Sequence, residues 1–388
     1  MILGAVSGCE VFEEPQDEEP ALSSGRVALL QSLGAEVYYP SYLSVSSSLV
    51  ELERALSDWD GSREGASIDE ARAAWRMSLL LWQRAELMQV GPAGVSGQRV
   101  GGEDRRDLIY AYPLQNPCRV DQELLAGRYR EEGWGLSATI NAKGLGALER
   151  LLYAADDENL CPESLAINQD GAWAEWAAEE GALPQARHEL SLAIVADLKL
   201  HLDALVNAWA EGGEARLALS EGSAPFSNQR EALDEVYASL YYADQVLRDL
   251  KLAVPLGLSM DCEVAPCLDD LELRSSGLSR EAIIANLEGL LWVLCGGDPA
   301  QRANLSGFDD LLVEEGAPDL AEELISMIEA LIGLLSEREE PLDELIESEP
   351  EWVDARYSEL RQITALIKSQ LATVLNLSVP REGAGDND

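Results

Sequence analysis

Hydrophobic positions recur every three to four residues over most of this chain, which is the spacing of one face of an α-helix. Such stripes run through six stretches, which are 68–90, 185–210, 227–253, 279–295, 318–337 and 351–376. Ser67 and Glu70 have the spacing of a capping box at the start of the first stretch. Runs that alternate as strands do are scarce. The pattern therefore predicts an all-α protein whose helices pack as antiparallel bundles.

Two breaks divide this helical pattern. Residues 91–139 begin with Gly91-Pro92 and are rich in Gly, Pro and Asn, so we expect a long irregular loop there. A polar stretch at 211–226 lies near the middle of the chain, and we place a domain boundary in it. The predicted organisation is a signal remnant and acidic tether (1–24), an N-terminal bundle (25–212), a C-terminal bundle (224–377) and a disordered tail (378–388).

The composition limits the class of partner. Hydrophobic residues make up 47% of the chain, which is enough for a real core. Acidic residues outnumber basic ones by 71 to 28, and the formal net charge is −43. A field of that sign repels phosphate backbones, so nucleic acid is not expected as a partner. The charge alone does not separate a solvated acidic surface from a surface that attracts cations.

The N-terminus indicates export. Val6-Ser7-Gly8-Cys9 is similar to the lipobox of bacterial lipoproteins, in which the cysteine carries the lipid. The acidic, proline-containing stretch 10–20 that follows is predicted to be a disordered tether. Only eight residues precede Cys9, fewer than a secretory signal needs, which suggests a start codon further upstream. The alternative is an ordinary reduced cysteine.

The expected location is the bacterial cell envelope, on the periplasmic or the surface face of a membrane. Glu10, and not Asp, follows the cysteine, so by analogy with enteric sorting rules we expect the outer membrane. No later stretch is long and apolar enough to span a bilayer. The lipid at Cys9 would then be the only membrane attachment.

The other cysteines fit an exported protein. Cys262 and Cys267 bracket a short loop that contains proline, and Cys118 and Cys161 both lie in loop-like sequence. We predict two disulfides, Cys118–Cys161 and Cys262–Cys267, because oxidising compartments allow them. Cys295 lies in an apolar helical run and is predicted to be a buried thiol outside both pairs. The alternative is a set of reduced cysteines in a cytosolic protein.

Conventional catalytic signatures are mostly absent from the sequence. The two histidines, His188 and His201, are 13 residues apart on one predicted helix. At ~100° per residue they point about 220° apart around its axis and cannot face one metal. His188-Glu189 begins like a zinc-protease motif, but Leu192 stands where the second histidine would be.

Four segments follow one another in a recognisable order. They are Ala73-Ala74-Trp75 with Trp82-Gln83-Arg84-Ala85-Glu86 and Gly91-Pro92, then Arg106-Asp107-Leu108-Ile109-Tyr110-Ala111-Tyr112-Pro113-Leu114, then Lys143 to Tyr153, and finally Lys251-Leu252-Ala253-Val254-Pro255-Leu256-Gly257. This series resembles the imelysin family of bacterial cell-envelope proteins, also classed as M75 peptidases and linked to iron regulation. The resemblance runs over roughly residues 25–375.

The resemblance implies two helical bundles with a functional site in the cleft between them. The hallmark of the family is GxHxxE, which is proposed to bind metal. Here it aligns with residues 144–149, so Gly146 stands where the family has histidine. Histidine and glutamate at i and i+3 share a helix face and can chelate one cation, whereas a single carboxylate is a weak ligand. A divalent metal, iron or zinc, would then be bound only weakly, through Glu149.

The candidate ligand-binding residues all come from the matching segments and are Glu86, Arg106, Asp107, Gly144, Gly146 and Glu149. Glu149, Gly144 and Gly146 also have a structural alternative. Glu149 could be a buried acid paired with arginine or with helix N–H groups, and the two glycines could permit close helix approach. We take convergence of Glu86, Asp107 and Glu149 on Arg106 as a hypothesis.

Three functions remain open at this point. The first is a non-enzymatic lipoprotein that binds a metal, a small ligand or another envelope protein, with a possible link to iron uptake. The second is a metallopeptidase of the M75 type, and the third is a structural or scaffolding lipoprotein. The first is favoured over the second because the sequence has no cluster of zinc ligands and almost no histidine.

Overall fold

The computed structural model of the 388-residue chain describes residues 22–259, 262, 264–301 and 305–380. Helices and their connections account for this part of the chain, and it contains no strand. The all-α prediction is confirmed. Cys9 and the predicted tail from 381 onward lie outside the described residues.

Eighteen α-helices are found in the described residues, and we number them in chain order. They are α1 (Ser24–Ser32), α2 (Tyr39–Asp58), α3 (Ala66–Ala85), α4 (Arg105–Ile109), α5 (Pro117–Ala126), α6 (Trp134–Ser137), α7 (Gly144–Leu152), α8 (Ala172–Ala177), α9 (Ala182–Trp209), α10 (Glu214–Glu221), α11 (Gln229–Ser239), α12 (Val254–Leu256), α13 (Ser279–Cys295), α14 (Phe308–Glu314), α15 (Pro318–Ser336), α16 (Leu342–Ser348), α17 (Pro350–Leu366) and α18 (Ala372–Leu375). Three π-helical stretches, Leu33–Tyr38, Ala243–Ala253 and Ile367–Leu371, continue neighbouring helices.

The six predicted helices are present, with differences at their ends. The stretch 279–295 agrees with α13, and 318–337 extends one residue beyond α15. The predicted helix 227–253 is interrupted after Ser239 and resumes as a π-helix from Ala243 to Ala253. The capping box is wrong, because α3 begins at Ala66 after Gly65, and Ser67 lies inside the helix.

The predicted irregular loop at 91–139 is more ordered than expected. It holds three short helices, α4, α5 and α6, and many of its side chains are buried. The pattern also does not predict α1 and α2. In α2 an apolar stripe through Val45, Leu49 and Leu56 is buried, but Pro40 and a run of serines argue against a helix.

The core is one continuous cluster of buried apolar side chains that extends through both halves of the sequence. In the N-terminal half α2 packs against α3 and α9, and in the C-terminal half α13 packs against α15, which packs against α17. Helix α3 also packs against α13 and so joins the two halves. The division at 211–226 stays a prediction. Within the described part of the chain, no helix is long and apolar enough to cross a membrane.

Candidate functional site

A buried lysine lies at the contact between α3 and α13. Lys251 comes from the π-helical stretch Ala243–Ala253, and its side chain is 1% exposed. Its Nζ donates to Gln83 Oε1 at 2.7 Å and to Asn286 Oδ1 at 2.8 Å. It also lies 3.3 Å from Glu86 Oε2 and 3.0 Å from Glu272 Oε2. Four oxygens from three other elements therefore surround one ammonium group.

Aromatic rings surround the same ammonium. Lys251 Nζ is 5.6 Å from the ring centroid of Tyr112 and 5.7 Å from that of Tyr242, within the range of a cation–π interaction. The phenol of Tyr110 donates to Glu272 Oε1 at 2.7 Å. A buried charge costs free energy unless it is paired and hydrogen-bonded, and this one is both.

The two carboxylates around Lys251 titrate differently. Burial alone would raise the pKa of Glu86, but the charges of Lys251 and Arg106 outweigh it and hold that pKa below its ordinary value. Burial raises the pKa of Glu272, because Lys251 compensates only in part and the charge of Glu86 adds to the effect. Glu86 is therefore the stronger acid of the two.

Arg106 extends this cluster toward the surface. Its Nη2 donates to Glu86 Oε1 and its Nη1 donates to Asp107 Oδ1, both at 2.7 Å. The hypothesis that Glu86, Asp107 and Glu149 converge on Arg106 therefore agrees with the geometry for Glu86 and Asp107, and is wrong for Glu149, which bonds to Ser276 instead. We name Gln83, Glu86, Arg106, Lys251, Glu272 and Asn286 the polar centre.

Glu149 lies beside the polar centre and makes different contacts. Its Oε1 accepts from the backbone N–H of Ser276 at 3.0 Å and from the Ser276 hydroxyl at 2.8 Å. The loop between Leu271 and Leu278 supplies both Ser276 and Glu272. Burial raises the pKa of Glu149 to about 7, although the two Ser276 hydrogen bonds lower it and the charge of Glu272 raises it further. Among the described residues, no hydrogen bond or ion pair joins Glu149 to an arginine.

The two glycines of the motif have different structural roles. Gly144 has φ of +80°, and a Cβ there would lie 2.5 Å from the backbone oxygen of Ile109. It allows α7 to start directly against α4, as the structural alternative proposed. At Gly146 a Cβ would lie 2.0 Å from Gln115 Nε2, so the side chain of Gln115 takes up that space.

A small cleft joins Gly146, Gln115 and Glu149. Its volume is about 60 Å³. That is enough for a few water molecules or one ion, and too small for a peptide or a drug-sized molecule. A substrate cleft of the kind that the resemblance implies is not found at this position.

The chain is similar to one known protein family. A match to the family described as Imelysin, Peptidase M75, covers residues 39–370. The chain belongs to the imelysin family. Iron-regulated protein A of Synechococcus elongatus is 28% identical over 131 residues, which are 34% of this chain and 33% of that protein. The matched region therefore spans about a third of the length of that relative.

Solved structures share the imelysin fold. An imelysin-like protein from Psychrobacter arcticum superposes with a TM-score of 0.69 at 19% identity, covering 93% of this chain and 99% of that chain. A putative iron-regulated protein A precursor from Parabacteroides distasonis gives a TM-score of 0.67 at 14% identity, covering 93% and 96%. Identities this low demonstrate a common fold and no more.

The residues of this imelysin do not fit the metal that the family motif implies. Among the described residues, no three His, Cys, Asp or Glu side chains are grouped as metal ligands. The histidine position is Gly146, and Gln115 fills the space beside it. Glu86 already forms ion pairs with Arg106 and Lys251, and Glu272 forms one with Lys251. We therefore assign no chemical step to a metal here.

Several residues of the polar centre carried a signal in the sequence. Gln83 and Lys251 stand in the segments that resemble the imelysins, although neither was among the candidate site residues. Glu272 and Asn286 gave no signal, because nothing in a single sequence indicates that a loop and α13 approach α3. Glu272 is one of many acids in a chain that has 71.

The cysteines are arranged in two disulfides in the structure. Cys118 is bonded to Cys161, and Cys262 is bonded to Cys267. Cys295 is buried in α13 and lies outside both bonds. The first disulfide joins the start of α5 to the loop that follows α7, so it ties together two of the less regular segments.

Proposed function

We propose that this imelysin is a non-enzymatic binding protein of the bacterial cell envelope that works without a bound metal. The observation that carries the proposal is the position of Lys251. Its ammonium group lies among the four oxygens that a cation would otherwise need. A metallopeptidase requires a metal with an open coordination position for water or substrate. The polar centre instead contains a covalently fixed cation.

The electrostatic balance supports this proposal. Two cationic side chains, Lys251 and Arg106, face Glu86. Because their charges hold the pKa of Glu86 below its ordinary value, the ionised carboxylate is favoured and pairs with both. Both side chains of the Lys251–Glu86 pair are at most 1% exposed. A metal ion entering this site would have to displace a buried lysine, and that would leave the lysine charge without a partner. We infer that the polar centre joins the two halves of the molecule.

Metal content and peptide hydrolysis test the proposal together. The full chain carrying Cys9→Ser is purified without chelator and measured by elemental analysis for iron and zinc. It is then incubated with unfolded casein, with and without EDTA. We expect less than stoichiometric metal and no hydrolysis that EDTA inhibits. One equivalent of metal that Glu149→Ala or Glu86→Gln removes would overturn the proposal, and EDTA-sensitive hydrolysis would favour the metallopeptidase alternative.

The envelope location rests on the lipobox-like Val6-Ser7-Gly8-Cys9 and on the two disulfides, which are typical of exported proteins. Expressed from its full gene, the protein should be found with the outer membrane, and Cys9→Ser should release it into the soluble fraction. Cys295→Ser is the matched control, because it removes a cysteine that is buried in the fold. Unchanged partition of Cys9→Ser would reject the anchor.

A link to iron supply is proposed from the relatives. Two of them carry "iron-regulated protein A" in their names. We expect the abundance of this protein in its host to change when iron is withheld with a chelator and to recover when iron is restored. Constant abundance under both conditions would reject the link, and would favour the alternative of a scaffolding lipoprotein that is made constitutively.

A further inference from the structure

An open groove lies between α14 and α15 on the surface of the C-terminal half. Its volume is about 310 Å³. Asp309, Asp310 and Val313 line it from α14, and five residues between Pro318 and Ser326 line it from α15. None of the residues of the polar centre lines it, so the groove is separate from the buried cluster around Lys251.

The floor of the groove is apolar. Val313 lies outside the buried stripe of α14 and is 57% exposed. On the other side of the groove Pro318 is exposed and Ile325 is half-buried. Apolar surface of this kind gains free energy when a partner removes it from water. No described element of the chain covers Val313 in this way.

The rim of the groove is acidic. Asp310 of α14 and Glu322 of α15 are both exposed and face the groove from its two sides. In the described part of the chain Asp310 Oδ2 accepts from the backbone N–H of Gly307 at 3.0 Å, and Glu322 forms no ion pair. Residues 303–337 contain nine acidic residues and no lysine or arginine. The electrostatic potential at the groove is therefore strongly negative.

Charge distinguishes the possible occupants of the groove. Segment 10–20 precedes α1, which packs against α14, but it contains six acids and no base. A second copy of the chain carries the same net charge of −43. Both are repelled by the acidic rim. A segment in which lysine or arginine surrounds apolar side chains complements both the floor and the rim.

We propose that the groove between α14 and α15 binds a basic amphipathic helix of a partner protein. Its apolar side chains contact Val313 and Ile325, and its lysine or arginine side chains pair with Asp310 and Glu322. Pro318 and Ile325 are seven residues apart, or ~10 Å along α15, so the groove accommodates about two turns of a helix. The proposal rests on the proposed binding function and gives it a surface and a class of partner.

A dye-labelled amphipathic peptide of leucine and lysine, about 14 residues long so that it exceeds the ~10 Å of the groove, tests the inference. It is titrated with the full chain carrying Cys9→Ser, and fluorescence anisotropy is followed. We expect saturable binding of one peptide per chain. A control peptide with serine in place of each leucine has the same charge. It should bind at least about tenfold more weakly, because it brings no apolar side chains to the floor of the groove.

Two pairs of variants at exposed positions locate the peptide. Glu322→Lys reverses a charge on the rim and should weaken binding at least about tenfold. Its control is Glu329→Lys, two turns further along α15, which should weaken binding less than about threefold, because the ~10 Å between them exceeds the screening length of about 8 Å at ~0.15 M salt. Val313→Ser should weaken binding about fivefold or more through lost apolar contact. Val50→Ser, at an exposed valine of α2, should bind as the parent does.

Several results would overturn the inference. These are absence of saturable binding and equal losses in the two members of either pair of variants. Tighter binding by the chain with Val11→Ser and Phe12→Ser would assign the groove to the segment before α1. A dimer in sedimentation analysis that Val313→Ser dissociates would assign it to a second copy. Lost peptide binding would leave the proposal of a protein without bound metal intact, and metal found in the parent protein would reject that proposal alone.

Discussion

The side-chain amide of Gln115 occupies the space into which a side chain at Gly146 would project, since a Cβ there would lie 2.0 Å from Gln115 Nε2. This relationship links two features of the sequence, the glycine at the motif position and a glutamine 31 residues before it. Gln115 Nε2 has no hydrogen-bond partner among the described residues. This nitrogen therefore fills the volume beside Gly146 without gaining a hydrogen bond from the described part of the chain.

Restoring the motif requires two changes. Gly146→His combined with Gln115→Ala should create a histidine and a glutamate at i and i+3 with room for both, and should raise the affinity for Zn²⁺ at least tenfold over the parent. Because imidazole must be deprotonated to bind metal, this gain should decrease as the pH falls below about 6.5. Calorimetric titration at pH 7.5 and pH 5.5 measures it.

Two single variants serve as controls for this experiment. Gln115→Ala alone should bind no more Zn²⁺ than the parent, and Gly146→His alone should gain less than the double variant, because Gln115 has to move first. The stability change from replacing a helical glycine should be at most ~1 kcal/mol. No gain in the double variant would mean that Gly146 is not the position of the family histidine, or that this histidine does not bind metal.

The raised pKa of Glu149 makes the free energy of unfolding depend on pH. Its pKa is about 7 in the folded protein, compared with an ordinary value of 4.5. Between these two values the folded state binds more protons than the unfolded state, so this group lowers the stability as the pH rises through the window. Glu149→Gln cannot ionise and should be more stable than the parent at pH 8, by at most about 3 kcal/mol. At pH 4.5 the two proteins should be nearly equal.

Urea unfolding of both proteins at pH 4.5, 6 and 8 measures this difference. The amide oxygen of the variant can still accept from Ser276, so the hydrogen bonds to the carboxyl are preserved. Glu329→Gln, at an exposed position of α15, should show no such change with pH. A difference between Glu149→Gln and the parent that stays constant from pH 4.5 to pH 8 would contradict the raised pKa.

The spacing of hydrophobic residues is sufficient to predict the fold class. Long apolar stripes such as those of α9 and α13 have to be buried, whichever elements they pack against. The spacing is not sufficient for the segments whose order comes from tertiary contacts. Helix α5 forms within a stretch rich in turn-forming residues, and its Asn116 side chain accepts from the N–H of Arg119 at its start. Rules based on the local sequence do not predict such short helices well, because tertiary packing supplies most of their stability.

The candidate site was predicted in part for a similar reason. Glu86, Arg106 and Asp107 are near each other in sequence, in segments of one half, and the hypothesis that they converge required only that α3 and α4 meet. The partners of Lys251 come from elements up to 168 residues away along the chain. A single sequence contains no information on such pairings. Glu272 also does not stand out among the 71 acidic residues of the chain.

Counting the reactive thiols before and after reduction tests the two disulfides. Denatured but unreduced protein carrying Cys9→Ser should react with one equivalent of a thiol reagent, at Cys295, and with five after reduction. Removing the longer bond with Cys118→Ser and Cys161→Ser should lower the free energy of unfolding by roughly 3–4 kcal/mol, because it closes a loop with a sequence separation of 43 residues. Five reactive thiols before reduction would refute the pairing, and the argument for export from cysteine usage would be lost with it.

We expect substitutions in the polar centre to lower the free energy of unfolding more than substitutions elsewhere. Lys251→Met keeps the length of the side chain but removes its charge, and so leaves Glu86 and Glu272 without the cation between them. We expect a loss of about 3–5 kcal/mol in the free energy of unfolding at pH 7, the usual cost of breaking a buried ion pair on one side. Urea unfolding measures the loss.

Two further variants identify the cause of that loss. Lys251→Met with Glu272→Gln removes one of the stranded acids and should recover at least about 1 kcal/mol, because a neutral amide costs less to bury than a carboxylate. Lys199→Met is the matched control, since Lys199 pairs with Glu53 at 2.8 Å but both side chains are more than a third exposed, and such pairs contribute about 0–1 kcal/mol. If Lys251→Met cost no more than Lys199→Met, the two halves would not depend on the buried charge, and apolar packing between α3 and α13 alone would hold them together.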